Sequence, residues 1–315
     1  MDDVVINAPV LTKPGDAWEP KTQPKRRPRR LRSPGYVWLI PALALSVGLI
    51  YYSVGYTGYM STLEWDGVSP VSRPVGAQNY VDAFQDPIFW KAIRNTVVFF
   101  VFSFAIQTAL GILFAAIMHS KVKLAVLYKV AIFLPVVLAP SIMAPVFRQI
   151  FSANGQVNQF LEAVGLGFLT HPWLADQATA LPVLMAITIW HNTGLTFILY
   201  FAAMGQIEPE VMEAARIDGA GNLRALWSIV LPGVQGTTVA IFILSIIGAL
   251  KTFDIPYLVT LGGPNYATEF LGTLIYRESI PLANAGYGAA ISIILLVLAL
   301  GLSMIVNIRS QRKEQ

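Results

Sequence analysis

Six stretches of the chain lack Asp, Glu, Lys and Arg and are dominated by apolar residues: 33–63, 95–120, 130–147, 177–207, 225–250 and 279–308. A helix rising about 1.5 Å per residue needs about 20 such residues to cross a bilayer. The pattern predicts an all-α, polytopic membrane protein with six transmembrane helices, near 37–58, 95–118, 124–147, 182–204, 233–254 and 285–307. Pro135, Pro140 and Pro145 interrupt the third run, so five spans and a re-entrant segment is the competing reading. Proline is tolerated in lipid where neighbouring helices satisfy the freed backbone groups.

The polar stretches between the runs predict shorter elements. Asn79 to Trp90 reads as a short interfacial helix, and Val157 to Val164 as an amphipathic one. Leu261-Gly262-Gly263-Pro264-Asn265 is a reverse-turn signal. The stretch EVMEAARIDGAGNLRALWSIVLP, Glu210 to Pro232, is charged yet lies between two long apolar runs. Pro209 suits the first helical position, where a missing N–H costs nothing. A helix from Pro209 to Asp218 follows, with Glu213 and Arg216 spaced to pair. Gly219 ends or bends it, and Asn222 is placed to cap a second helix through Leu226, Trp227, Ile229 and Val230. The product is a helix-turn-helix elbow whose exposed apolar residues suit a soluble partner; an ordinary solvated loop, its glycine merely linking two short helices, fits the residues equally well.

Composition narrows the function. Of 315 residues, 55% are hydrophobic and 13% charged, with a mean hydropathy of +0.58. That is about half the charge a soluble surface needs. The pI near 9.2 does not indicate nucleic acid, because the cations sit at the span ends. Eight Lys or Arg precede the first span, Lys121, Lys123 and Lys129 lie around the second-to-third turn, and Arg309, Arg312 and Lys313 follow the last. All share one side of a six-span chain, which puts both termini in the cytoplasm. Arg73, Lys91, Arg94, Arg148 and Arg277 fall on the opposite side, with Lys91 and Arg94 running against the rule. Residues 1–35 read as a disordered basic arm, 36–308 as one membrane domain and 309–315 as a tail. Cysteine is absent, so disulfide and thiolate chemistry are excluded.

The residues Glu213-Ala214-Ala215, Ile217-Asp218-Gly219-Ala220 and Ile229-Val230-Leu231-Pro232 resemble the signature loop of bacterial ABC-importer permeases. The resemblance extends over about 35–310 and is nearest the carbohydrate-importer branch, as in a subunit of the maltose-type permease pair. It implies that the elbow is a cytoplasmic coupling helix seated in a groove of a separate ATPase dimer. Glu213 is then expected to make polar contacts there, Ala214, Ala215 and Gly219 to permit close docking, and Asp218 to cap or contact locally. A second related permease, an extracytoplasmic sugar-binding protein and a bacterial inner membrane are also implied. ATP and magnesium belong to the partner ATPase and no cofactor to this chain.

For the solute pathway, span four offers Trp190, Asn192 and Thr193, and the maltose-type resemblance implies Ser245, Lys251 and Thr252 at the end of span five. A ring face can stack on sugar and an amide can bond hydroxyls, although polar residues in spans also bond between helices. Lys251 and Asp254 are spaced to pair along the pathway. A lysine there departs from the maltose-type pattern and fits another saccharide or an anionic derivative, unless it snorkels to the interface. His119, His171 and His191 are too dispersed for a three-histidine metal centre, and no phosphate-binding glycine loop or nucleophile elbow occurs. The chain therefore reads as a transport subunit and not an enzyme. An ATP-independent secondary carrier and a structural assembly protein are the alternatives.

Overall fold

The computed structural model describes residues 36–120 and 122–311, so the arm 1–35 and the last four residues lie outside it. The chain divides into two compact units, Met1–Ile50 and Tyr51–Gln315. The first contributes a 3-10 turn, Tyr36–Leu39, and the beginning of helix α1, Ile40–Met60. The second contains everything that follows.

After α1 a two-stranded antiparallel ribbon, β1 Leu63–Glu64 and β2 Arg73–Pro74, leads to α2, Gln78–Gln85, and α3, Pro87–His119. The single helix expected over 79–90 is therefore two elements. Asp86 is extended, its Oδ1 accepts the Ile88 N–H at 2.8 Å, and Pro87 fills the first helical position of α3. That cap starts the second span at Pro87 instead of near 95 and puts Lys91 and Arg94 in the first turns of α3.

The third span is not straight. Helices α4, Ala125–Val137, and α5, Pro140–Ile150, meet at 97°. Pro140 holds the preceding Ala139 extended, at ψ 138°, and so prevents the helix from continuing. Helix α6, Gln156–Ala163, matches the amphipathic stretch, and α7, Ala180–Met204, is the fourth span.

The elbow comprises α8, Pro209–Ile217, and a second helix running without interruption from α9, Asn222–Ala225, through a π-helical turn, Leu226–Val230, to α10, Leu231–Gly233. It bends by 66° into α11, Gln235–Leu250, so the fifth span is also a bent pair. Helices α12, Asp254–Thr260, and α13, Leu271–Ser279, precede the last span, α14, Ala285–Gln311. Among the described residues, four helices are long and apolar enough to cross a membrane, and six spans result when each bent pair counts once.

Small residues bring the central helices together. A Cβ on Gly111 of α3 would lie 2.7 Å from Thr196 Cγ2 of α7. One on Gly194 of α7 would lie 2.5 Å from the Ile132 carbonyl of α4. Such close backbone approach is how helices pack where lipid supplies no hydrophobic drive. The α3–α7 seam is the most extensive in the fold, with Ala115, Phe197 and Tyr200 fully buried in it.

Candidate functional site

Helices α3, α7 and α11 surround a cavity of about 260 Å³. Three of the six residues expected on the solute pathway line it: Asn192 from α7, Ser245 from α11 and Thr252 just beyond α11. The other three do not. Trp190 is 45% exposed and meets Phe147 edge to face at 5.2 Å. Thr193 is buried and donates its hydroxyl to Ile189 O at 2.6 Å. Lys251 is exposed, outside the cavity wall, at the C-cap of α11.

The Lys251–Asp254 pairing is corrected as well: α11 ends at Leu250 and α12 begins at Asp254, so the two do not share a helical face. His191 is tied to the α4–α5 bend and to its neighbour, with Nε2 3.1 Å from Leu138 O and Nδ1 3.1 Å from Asn192 Oδ1.

Ser103 and Gln107 of α3 and Thr188 of α7, which the sequence reading did not single out, are buried and on the same cavity wall. Ser103 and Gln107 are four apart and stack on one face of α3. That spacing, in a largely apolar run, was the available signal. Phe99 and Phe104 of α3 supply apolar wall between them.

At the other end of α7 the elbow has the predicted order. Pro209 is the first helical residue of α8, and Glu208 caps it without a side-chain bond. Gly219 turns the chain at φ +78° with open space where a Cβ would stand. Glu213, Ala214 and Asp218 are exposed and Ala215 is half-buried. Asn222 is the first residue of α9 and Gly221 is its cap, so the capping role expected of Asn222 is corrected. The ion pairs among the described residues do not include Glu213–Arg216. Exposed apolar side chains cluster along the elbow: Ile217 at 87%, Leu223 at 74% and Trp227 at 70%. Its attachment to α7 is braced by His119, which stacks on Phe201 at 4.5 Å and bonds the Phe201 carbonyl at 2.9 Å, with Lys129 Nζ 3.9 Å above the same ring.

The turn after the fifth span packs over the N-terminal end of α3. Glu269 is fully buried and pairs with Arg277 Nη2 at 2.6 Å. The same Nη2 donates to Leu261 O at 3.0 Å, and the guanidinium lies 4.6 Å from the Tyr266 ring. The Thr273 hydroxyl gives its proton to Phe270 O, leaving Arg277 as the charge partner of the carboxylate. Burial pushes the Glu269 carboxyl above its ordinary range, and the attraction of Arg277 only partly offsets this. Gly262, at φ +81°, passes directly over the pair, where a Cβ would meet Glu269 Oε2. From α3, Lys91 donates to Asn265 O at 2.7 Å and Asn95 to Ala267 O and Glu269 O at 3.1 and 2.9 Å. Lys91 and Arg277, two of the cations on the poorer side, are thus committed to holding this turn. Phe270 then packs edge to face on Phe99 at 5.1 Å, against the cavity wall.

Residues 107–315 match the family described as "Binding-protein-dependent transport system inner membrane component". The chain is 33% identical over 272 residues to the probable ABC transporter permease protein YurN of Bacillus subtilis (strain 168), covering 85% of this chain and 93% of that protein. It is 30% identical over 275 residues to the lactose transport system permease protein LacF of Rhizobium radiobacter, covering 86% and 92%. A crystal structure of a bacterial ABC transporter involved in the import of the acidic polysaccharide alginate superposes with a TM-score of 0.77 at 24% identity, over 88% of this chain and 94% of that one, a likeness of fold.

Proposed function

The chain belongs to the family of inner-membrane components of binding-protein-dependent transport systems, and on that premise we propose that it is one half of a maltose-type permease pair importing sugar. Two copies of a cytoplasmic ATPase supply the energy, and an extracytoplasmic binding protein delivers the sugar. Both termini lie in the cytoplasm, in keeping with the excess of Lys and Arg at those span ends. Sugar as the cargo is supported by the relative that transports lactose.

The observation that carries the coupling role is the exposed apolar surface of the elbow, Ile217, Leu223 and Trp227, continuous with two helices of the cavity wall. A row of large apolar groups in water is an interface awaiting a partner. Glu213 and Asp218 supply polar contacts at its rim, Ala214 and Ala215 let the ATPase groove close on the helix, and Gly219 sets the turn. ATP-driven association of the ATPase domains moves the elbow as a body, and α7 and α11 carry that motion to the cavity. Rigid-body switching of this kind alternates access between the two faces. An ion-coupled secondary carrier needs an ionisable site on the pathway, and the cavity wall has no carboxylate among its described residues.

The test is ATP hydrolysis by the complete complex in liposomes with sugar-loaded binding protein. Glu213→Ala is expected to leave the complex assembled and the sugar bound outside, and to abolish most of the stimulated turnover. Equal stimulation in the two complexes removes Glu213 from the coupling role. A wild-type complex that hydrolyses no additional ATP with loaded binding protein removes the importer reading itself.

A further inference from the structure

The α3–α7 seam has one register. Leu181 and Met185 of α7 pack on the cluster that contains Phe99 of α3. Further along, a Cβ on Gly111 of α3 would meet Thr196 Cγ2 at 2.7 Å and Tyr200 Cδ2 at 3.2 Å. The two helices therefore run side by side in the same direction. Gln107 is one turn before Gly111 and Asn192 one turn before Thr196, so two carboxamides stand level across the seam. Polar side chains so placed in a membrane bundle ordinarily bond one helix to the other. These two do not: no hydrogen bond joins them.

Gln107 is 7% exposed, and its amide has no hydrogen-bond partner in the chain, which is unusual for a buried polar side chain. Neither amide atom is occluded, and the surface that Gln107 keeps lies on the wall of the cavity between α3, α7 and α11. One end of the Asn192 amide is 3.1 Å from His191 Nδ1; the other end is unbonded and open on the same wall. Ser103 and Thr188, one turn earlier on each helix, differ, because their hydroxyl oxygens are closed off. From α11, the Ser245 hydroxyl is unbonded and open and adds a third polar group.

A carboxamide presents a carbonyl acceptor and an N–H donor side by side. Two hydroxyls on adjacent carbons match that face, one donating and the other accepting. Phe99 and Phe104 line the same space and suit the carbon skeleton that carries such a diol. Resting on the importer reading above, we propose that Gln107 is a specificity-determining residue that, level with Asn192, binds vicinal hydroxyls of a saccharide at the seam.

Equilibrium dialysis of the complete nucleotide-free complex, without binding protein, tests this. The probes are radiolabelled lactose, maltose and cellobiose and the per-O-methylated form of each, which keeps the rings and removes every diol. At least one disaccharide is expected to bind, and its methylated form at least about tenfold more weakly. Gln107→Met, which keeps the length of the side chain, is expected to weaken the parent sugar at least about fivefold while leaving the residual binding of the methylated sugar within about twofold of wild type. Gln107→Ala, which adds no bulk to the seam, is expected to do the same. The proposal is overturned if no probe binds, if the methylated sugar binds as tightly as its parent, or if both variants bind the parent like wild type. It is equally overturned if the variants, in complexes that elute intact, weaken parent and methylated sugar alike, which is the mark of a structural role. Failure of the importer reading is separate and visible only in the ATPase assay, where loaded binding protein would give no stimulation.

Discussion

Replacing Arg277 with methionine keeps most of the side-chain bulk and removes the cation paired with a fully buried carboxylate. In the native structure the guanidinium is 2.6 Å from Glu269 and 3.0 Å from Leu261 O, and it lies over Tyr266. Glu269 has no exposed surface, whereas the Arg277 side chain is 25% exposed. Removing one partner of a buried pair costs about 3–5 kcal/mol, mostly the penalty of the abandoned charge. Solvent at the arginine side argues for the lower end, about 3 kcal/mol.

Arg277→Met is thus expected to lower the denaturation midpoint of the solubilised complex markedly. Adding Glu269→Gln removes the stranded charge, and the double variant is expected to recover to within about 1 kcal/mol of wild type. The deficit also depends on pH. Burial raises the Glu269 carboxyl above its ordinary 4.5, and loss of Arg277 removes an influence that lowers it. The native state then binds the proton more tightly than the unfolded chain does. The stability this contributes is complete below the ordinary carboxylate range and is lost as pH rises through the raised native value. Acidifying from about pH 7.5 to about pH 5 should therefore narrow the gap between Arg277→Met and wild type. A double variant no more stable than Arg277→Met, with a gap indifferent to pH, refutes the buried-charge argument.

Three further outcomes follow from the packing. Gly194→Leu forces α7 away from the Ile132 and Phe133 backbone, which a Cβ would approach to 2.5 and 2.9 Å, and should cost about 1–3 kcal/mol or more, read as lost intact complex on size exclusion. Gly219→Val meets no obstacle but must adopt φ +78°, at about 1–2 kcal/mol; stimulated ATP turnover should fall while Gly219→Asn retains most of it. Lys91→Met removes the 2.7 Å bond to Asn265 O and should speed proteolytic cleavage within 261–268 without changing the midpoint by more than about 1 kcal/mol.

The sequence by itself determined the all-α class, the six apolar segments and the order of the elbow, because these depend on local properties. Apolar run length sets the spans, Pro209 starts α8, and Gly219 provides the positive φ at the turn. Pro140 even signalled the break in the third span, although the 97° angle needed α4 and α5 to be packed against their neighbours. Tertiary structure alone decided which polar residues face the cavity. Gln107, Asn192 and Ser245 are far apart in the chain and meet because α3, α7 and α11 enclose one space. Thr193 has the hydroxyl chemistry of Ser245 but turns to its own backbone, and Lys251 is exposed outside the wall that its neighbour Thr252 joins. Hydropathy cannot distinguish these fates. Whether a hydroxyl meets lipid, a cavity or a carbonyl depends on the helix beside it. The same reason hid the Glu269–Arg277 pair and the tethers from Lys91 and Asn95, which close only once the outer turn folds back over α3.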